Sequence, residues 1–203
     1  RAFARRMAPV QASFLGYPGS TGVPNIDWLI GDHVVTPPDS DHLCSEQVLR
    51  LPNTVFCFAP EVDYPLPNFA AVSRGRPLTF GSFNNIPKLT PRTLRLWVNV
   101  LKAVPDSRLL LRAPSFKDAG AVARFHHLFG EQGIPAERLT FRGPVGLDVM
   151  MQAYGEVDIA LDPFPYCGGT TTLQALWMGV PVLTMQGGQF VSRMGASFMI
   201  AAG

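Results

Sequence analysis

"VDIALDPFPYCGGTTTLQALWMGVPVLTM", residues 157–185, is the stretch whose reading decides the fold. Residues 157–163 form a nearly continuous apolar run, as expected of a strand covered on both faces. Gly168 and Gly169 break the chain, and Thr170, Thr171 and Thr172 follow at once. Residues 171–179 carry helical spacing that stops at Gly179, with Pro181 just beyond. "PVLTM" (181–185) is a second strand. Strand, loop, helix and strand in this order make a βαβ unit, whose strands run parallel.

The same rhythm extends upstream. Strands are expected at 77–83, 107–113 and 138–145, with helices at 90–105, 117–133 and 146–154 between them. The first helix is well signalled: Thr90 can cap it, Pro91 opens it, and Leu94, Trp97, Val98 and Leu101 recur on one face. A further helix starts with "QFVSRMGASFMIAA", from residue 189. Alternating units of this kind predict an α/β, Rossmann-like doubly wound parallel sheet. Before it, residues 10–16, 26–35 and 54–58 read as short strands. Proline is dense from Pro60 to Pro67, residues 67–77 look like a linker, and a boundary is expected near Arg74. The domains expected are therefore 1–72 and 73–203.

Bulk properties set limits. The 203 residues are 47% hydrophobic and 16% charged, which suits a buried core and excludes a disordered chain. The net charge is +2 and the 17 basic residues are scattered, so no nucleic-acid footprint stands out. No apolar run reaches the length of a membrane span, and "RAFARRMAPV" lacks the core of a signal peptide. The three cysteines, Cys44, Cys57 and Cys167, form no paired motif. Together these point to a cytoplasmic protein without membrane attachment. The first residue, Arg1, and the helical pattern running into "MIAAG" lead us to expect a piece of a longer protein.

In a parallel sheet, ligands bind beyond the carboxyl ends of the strands, at helix N-termini. That rule selects the loops 83–90, 113–117, 144–148 and 162–172. The last is the most telling. Its two glycines let the backbone approach a ligand closely, and the three threonines present hydroxyls and N–H groups at the positive end of a helix dipole. A phosphate or diphosphate is the natural guest. An ordinary capping box between Thr171 and Gln174 is the alternative. In "FNNIPKLTP" (83–91), Lys88 should point over the same edge of the sheet, with Asn84 and Asn85 supplying neutral donors and acceptors. Asp162 ends a strand and is placed to orient the loop after it. Cys167 would be exposed beside the glycines. Asp39 and Asp41, spaced as DxD, lie in a proline-rich loop and read as structural. His126 and His127, being adjacent, cannot share a helix face and read as solvated. No general base can be assigned.

Three blocks, "LGYPGSTG" (15–22), "FGSFNNIPKLTPRTLRLWVNVLKAVPDSRLLL" (80–111) and "DIALDPFPYCGGTTTLQALWMGVPVLT" (158–184), together resemble the O-GlcNAc transferase (SPINDLY-like) family over nearly the whole chain. The resemblance implies a GT-B architecture, with residues 1–72 ending the first, acceptor-side lobe and 73–203 forming most of the nucleotide-sugar lobe. It implies transfer of a sugar, N-acetylglucosamine foremost, from a UDP donor to protein Ser or Thr hydroxyls, with inversion and without a metal or other cofactor. Tetratricopeptide repeats upstream would hold the acceptor protein. By the same resemblance Lys88 contacts the donor diphosphate and is the catalytic candidate, Asn85 assists it, and Thr170 and Thr171 meet the phosphates. Gly168, Gly169, Thr172 and Val145 belong to the same donor site. Gly16, Tyr17, Pro18 and Gly19 form a loop facing the cleft. Gln174 stands where the family has a ribose-binding aspartate, Met150 where it has a histidine near the base, and Leu147 replaces a nearby lysine. A transferase for another acceptor or sugar, a nucleotide-sugar-binding module without turnover, and a dehydrogenase are the alternatives; the last lacks the glycine fingerprint it would need.

Overall fold

The computed structural model describes residues 2–16, 19–60, 63–67 and 75–203. The expected linker and the boundary at Arg74 fall largely outside those residues. The chain divides into two compact units, Arg1–Ala59 with Met185–Gly203, and Pro60–Thr184. The C-terminal segment, expected to continue the second lobe, thus packs with the first unit.

In the first unit, β1 (Ala12–Ser13), β2 (Trp28–Asp32) and β3 (Gln47–Leu51) form a parallel sheet in the order β1-β2-β3. The third strand is therefore 47–51 and not the apolar run 54–58. The reason is local. Asp32, fully buried at the end of β2, accepts hydrogen bonds from Val34 and Val35 N–H at 2.8 Å each and from Val55 N–H at 2.9 Å. Thr54 and Val55 are tied to that carboxylate, and residues 54–58 join no strand ladder. Asp32 also accepts from the Ser197 hydroxyl at 2.8 Å, while the Phe56 ring packs 4.6 Å from that of Phe198. Both partners sit on the C-terminal helix Met194–Ala202, which explains its place in this unit.

The second unit follows the expected alternation: β4 (Thr79–Ser82), α1 (Pro91–Ala103), β5 (Arg108–Arg112), α2 (Ala119–Gly130), β6 (Leu139–Arg142), α3 (Leu147–Gln152), β7 (Ile159–Leu161), α4 (Thr170–Trp177) and β8 (Val182–Leu183). The C-terminal helix is α5. Helix α1 begins as its sequence dictates, the Thr90 hydroxyl accepting from Thr93 N–H at 3.2 Å. Asp118 caps α2 by accepting from Ala121 N–H at 2.8 Å, so this helix starts two residues later than its periodicity suggests. The strands pair in parallel in the order β6-β5-β4-β7-β8. The chain runs outward from β4 through β5 to β6, then returns to the other side of β4 as β7. The crevice of such a sheet opens where the direction reverses, at the carboxyl ends of β4 and β7.

Burial on both faces explains the apolar runs. Leu109 and Leu111 join Phe80, Trp97, Leu101, Phe125 and Phe129 under α1 and α2. Leu110 between them points the other way, into a cluster with Met151, Tyr154, Ala160, Ala175 and Met178 under α3 and α4. Among the described residues no helix is long and apolar enough to cross a membrane.

Candidate functional site

The loop after β7 is organised by one carboxylate. Asp162 Oδ1 accepts from Gly168 N–H at 2.6 Å and from the Thr172 hydroxyl at 3.1 Å, and Oδ2 accepts from the Thr184 hydroxyl at 2.8 Å. Burial pushes its pKa up, and these hydrogen bonds pull against that shift. Gly168 is required here because a Cβ would lie 2.2 Å from Thr172 Oγ1 and 2.9 Å from Asp162 Oδ1. The orienting role expected of Asp162 is thus visible in its contacts. Cys167, expected to be exposed, is fully buried, with its sulfur 3.9 Å from Thr184 Oγ1.

Lys88 approaches this loop from β4. It ends the 3-10 turn Ile86–Lys88, and its Nζ donates to the Cys167 carbonyl at 2.8 Å while lying 4.3 Å from the centre of the Tyr166 ring. Burial lowers the pKa of its ammonium, and the nearby Asp162 carboxylate opposes this. Buried Thr93 fastens the two loops together: its Oγ1 lies 2.6 Å from the Phe164 carbonyl and 3.1 Å from that of Lys88. A cation is therefore held beside the glycine–threonine turn by elements far apart in the chain.

At the start of α4 the three threonines diverge. Thr170 is exposed, Thr171 donates to Asn84 Oδ1 at 2.9 Å, and Thr172 is turned inward to Asp162. Gly169, and not Thr171, occupies the cap position, so the capping box with Gln174 does not form. Gln174 itself is 5% exposed, and its Nε2 faces the Tyr64 hydroxyl at 3.4 Å instead of an open crevice. Asn85 is exposed and its side chain caps nothing, whereas its neighbour Asn84 is buried in the site. Sequence reasoning named the pair and, by resemblance, carried the assisting role to Asn85; both lie in the loop between β4 and the 3-10 turn Ile86–Lys88. Tyr154, whose phenol burial makes less acidic, pins the backbone of α4 by donating to the Thr171 carbonyl at 2.9 Å. Nothing in the sequence singled it out.

Val145 and Leu147 are exposed, and Met150 packs partly buried against the Tyr154 cluster. Arg112, 6% exposed at the end of β5, donates to the Gly143 carbonyl at 3.0 Å and was also missed by sequence reasoning. In the first unit, Gly16 is exposed and Gly19 partly buried, while Tyr17 and Pro18 lie outside the described residues. The next two residues are firmly held. Glu46 accepts from the Ser20 hydroxyl at 2.8 Å and from Thr21 N–H at 2.7 Å. Burial alone would raise its pKa, but these bonds and one from the Thr21 hydroxyl bring it down to about 2. Asp41 pairs with Arg50, His127 with Glu131 at 3.4 Å, and His126 lies against Phe141. Among the described residues no three His, Cys, Asp or Glu side chains are grouped to hold a metal ion.

The arrangement can hold a compact, strongly charged anion: an ammonium fixed on the Cys167 carbonyl lies in the loop that leads into a helix whose first N–H groups lack intrahelical acceptors. Comparison with known proteins adds a second line. The model of glycosyl transferase family 41 matches residues 1–65 and 57–203. The chain is 40% identical over 202 residues to a probable UDP-N-acetylglucosamine–peptide N-acetylglucosaminyltransferase SPINDLY of Solanum lycopersicum, covering 98% of this chain and 22% of that protein. It is 31% identical to the probable transferase SEC of Arabidopsis thaliana, covering 99% and 21%. A mutant O-GlcNAc transferase of Thermobaculum terrenum superposes with a TM-score of 0.92 at 37% identity, over 99% of this chain and 38% of that one. The chain thus spans about a fifth of the curated relatives it matches. The fold is of the GT-B, Rossmann-like class expected from the sequence.

Proposed function

The chain belongs to glycosyl transferase family 41, and from this premise we propose that it binds the donor diphosphate of a UDP-sugar and serves transfer of that sugar to protein Ser or Thr hydroxyls. The observation that carries the reading is the Lys88 ammonium, held 2.8 Å from the Cys167 carbonyl beside the opening turn of α4. The relatives' names, which specify UDP-N-acetylglucosamine and a peptide, support that sugar and that acceptor class.

In the reaction, the bond between the anomeric carbon and the β-phosphate oxygen breaks, and its electron pair stays on the phosphate. The acceptor oxygen bonds to that carbon, with inversion, and its proton passes to solvent water. Charge growing on the phosphate meets Lys88 and the dipole of α4, which are in place before the reaction starts and need no reorganisation. A helix end of this kind stabilises an anion by about 0.3–2 kcal/mol, and the lysine adds a full positive charge to it. Neutralisation by these groups suits a metal-independent transferase. The apolar Leu147 and Met150 and the inward-turned Gln174 leave the diphosphate as the best-supported part of the donor, with base and ribose held differently from the family pattern. We place the reaction in the cytoplasm, with repeats upstream of this chain holding the acceptor.

Lys88→Ala is expected to lower turnover about 10²–10³-fold, the usual cost of losing one preorganised charge partner. Transfer from radiolabelled UDP-N-acetylglucosamine to a protein acceptor measures it, and near-normal turnover would remove Lys88 from the reaction. Titration with UDP separates an enzyme from a binding module: binding without any product favours the module.

A further inference from the structure

We propose that Asn84 is a positioning residue that sets the direction of the Thr171 hydroxyl proton, and that an oxyanion arriving at the start of α4 reverses that direction. The inference rests on the diphosphate reading above.

Asn84 is 7% exposed and lies two residues beyond Ser82, the last residue of β4. Its carboxamide spans two hydroxyls: Nδ2 donates to Ser82 Oγ at 3.2 Å, and Oδ1 accepts from Thr171 Oγ1 at 2.9 Å. In this arrangement the single proton of Thr171 is spent on Asn84. Only oxygen lone pairs are left to face the mouth of the helix, and lone pairs repel an anion. The threonine that the sequence places at a phosphate is therefore set the wrong way round for one.

The relay can be reversed without loss. Both its ends are hydroxyls, and each can either donate or accept. A half-turn of the carboxamide exchanges its oxygen and nitrogen. Ser82 then donates to Oδ1, Nδ2 donates to Thr171 Oγ1, and the Thr171 proton swings outward. The number of hydrogen bonds within the relay is unchanged, so the direction is set by whatever lies outside it. An oxyanion selects the outward proton, because a hydrogen bond to a charged acceptor is worth about 10–100-fold in affinity. Little else nearby can move. Ser82 is 4% exposed, and the Thr171 carbonyl is held by the Tyr154 hydroxyl at 2.9 Å.

Isothermal titration of the intact protein with UDP, and with inorganic pyrophosphate, tests the relay. Thr171→Val removes the hydroxyl at constant shape and should weaken both ligands about 10–100-fold. Asn84→Asp replaces the amide with a group that only accepts, so the Thr171 proton stays turned inward. Its added charge weakens binding too, but equally with and without Thr171→Val, and drops out of the comparison. On the Asn84→Asp background, Thr171→Val should therefore change affinity less than about twofold, the signature of coupled sites. An equal cost on both backgrounds, or no cost in the unmutated protein, overturns the relay and leaves the diphosphate reading standing. Failure of the unmutated protein to bind either ligand overturns both. A second readout does not depend on Asn84→Asp folding. The side-chain amide resonances of Asn84 should shift as the unmutated protein is saturated with pyrophosphate, and resonances that stay in place overturn the proposal.

Discussion

Lys88 owes its environment to two opposing effects on one ammonium. Burial lowers its pKa and Asp162 raises it, so the charge that a diphosphate needs is sustained by a carboxylate that does not itself face solvent. The sign of the resulting pH dependence follows. Donor affinity should be full while Lys88 is protonated and should fall as pH rises through its lowered pKa, earlier than for an ordinary lysine. Asp162→Asn removes the supporting charge, and the alkaline limb of UDP affinity should move to lower pH. Mere loosening of the loop would admit water and move the limb the other way. Titrations of UDP across the alkaline range distinguish the two outcomes. At the same scale, the site was only partly legible in sequence. Lys88 and the glycines stand out by composition, whereas the burial of Asn84 beside exposed Asn85, and the inward turn of Thr172 and Gln174, depend on the path of a loop and on which side of a helix a residue falls.

Elements are joined more closely than their sequences suggest. Strand β4 meets the segment leading into β7 at Gly81, where a Cβ would lie 2.4 Å from Val157 Cγ2 and 2.8 Å from Cγ1. Both contacts belong to a buried, branched side chain that has no room to retreat. Gly81→Ala should therefore destabilise the protein by about 1–3 kcal/mol, as overpacking does. Urea unfolding measures this, and an unchanged midpoint would show that Val157 can make room. Because the ends of β4 and β7 carry Lys88 and Asp162, the same substitution should also weaken UDP binding. The helices were read well: α1 has its own cap and proline, and α4 its glycine stop. In the first unit β1 and β2 fall within the expected runs 10–16 and 26–35, whereas the third strand was misplaced. "TVFCF" is more apolar than Gln47–Leu51, yet its Val55 N–H is spent on Asp32 and its Phe56 N–H on the Thr54 hydroxyl, and no propensity scale contains that fact.

Each of the two units has a buried aspartate near the carboxyl end of a β-strand that gathers donors from a loop and a later helix. Asp162 collects Gly168 and Thr172, and Asp32 collects Val34, Val35, Val55 and Ser197. Asp32→Ala would leave buried N–H groups unpaired, each at a cost of about 1–3 kcal/mol. The first unit should then lose amide-exchange protection in residues 54–58 and along α5. Retained protection there would show that Phe56, Phe190 and Phe198 suffice to hold the helix.

What the sequence determined by itself is the alternation of strands and helices in residues 77–185 and the glycine–threonine chemistry at the start of α4. Apolar period, caps and glycine–threonine chemistry are local properties, and each acts over a few neighbouring residues. The tertiary structure decided which of those residues meet. Lys88 reaches Cys167, Asn84 reaches Thr171, and α5 joins the first unit through hydrogen bonds and ring contacts between segments far apart in the chain. Such pairings depend on strand order and on the burial of single polar groups, and neither is encoded in any short stretch of sequence.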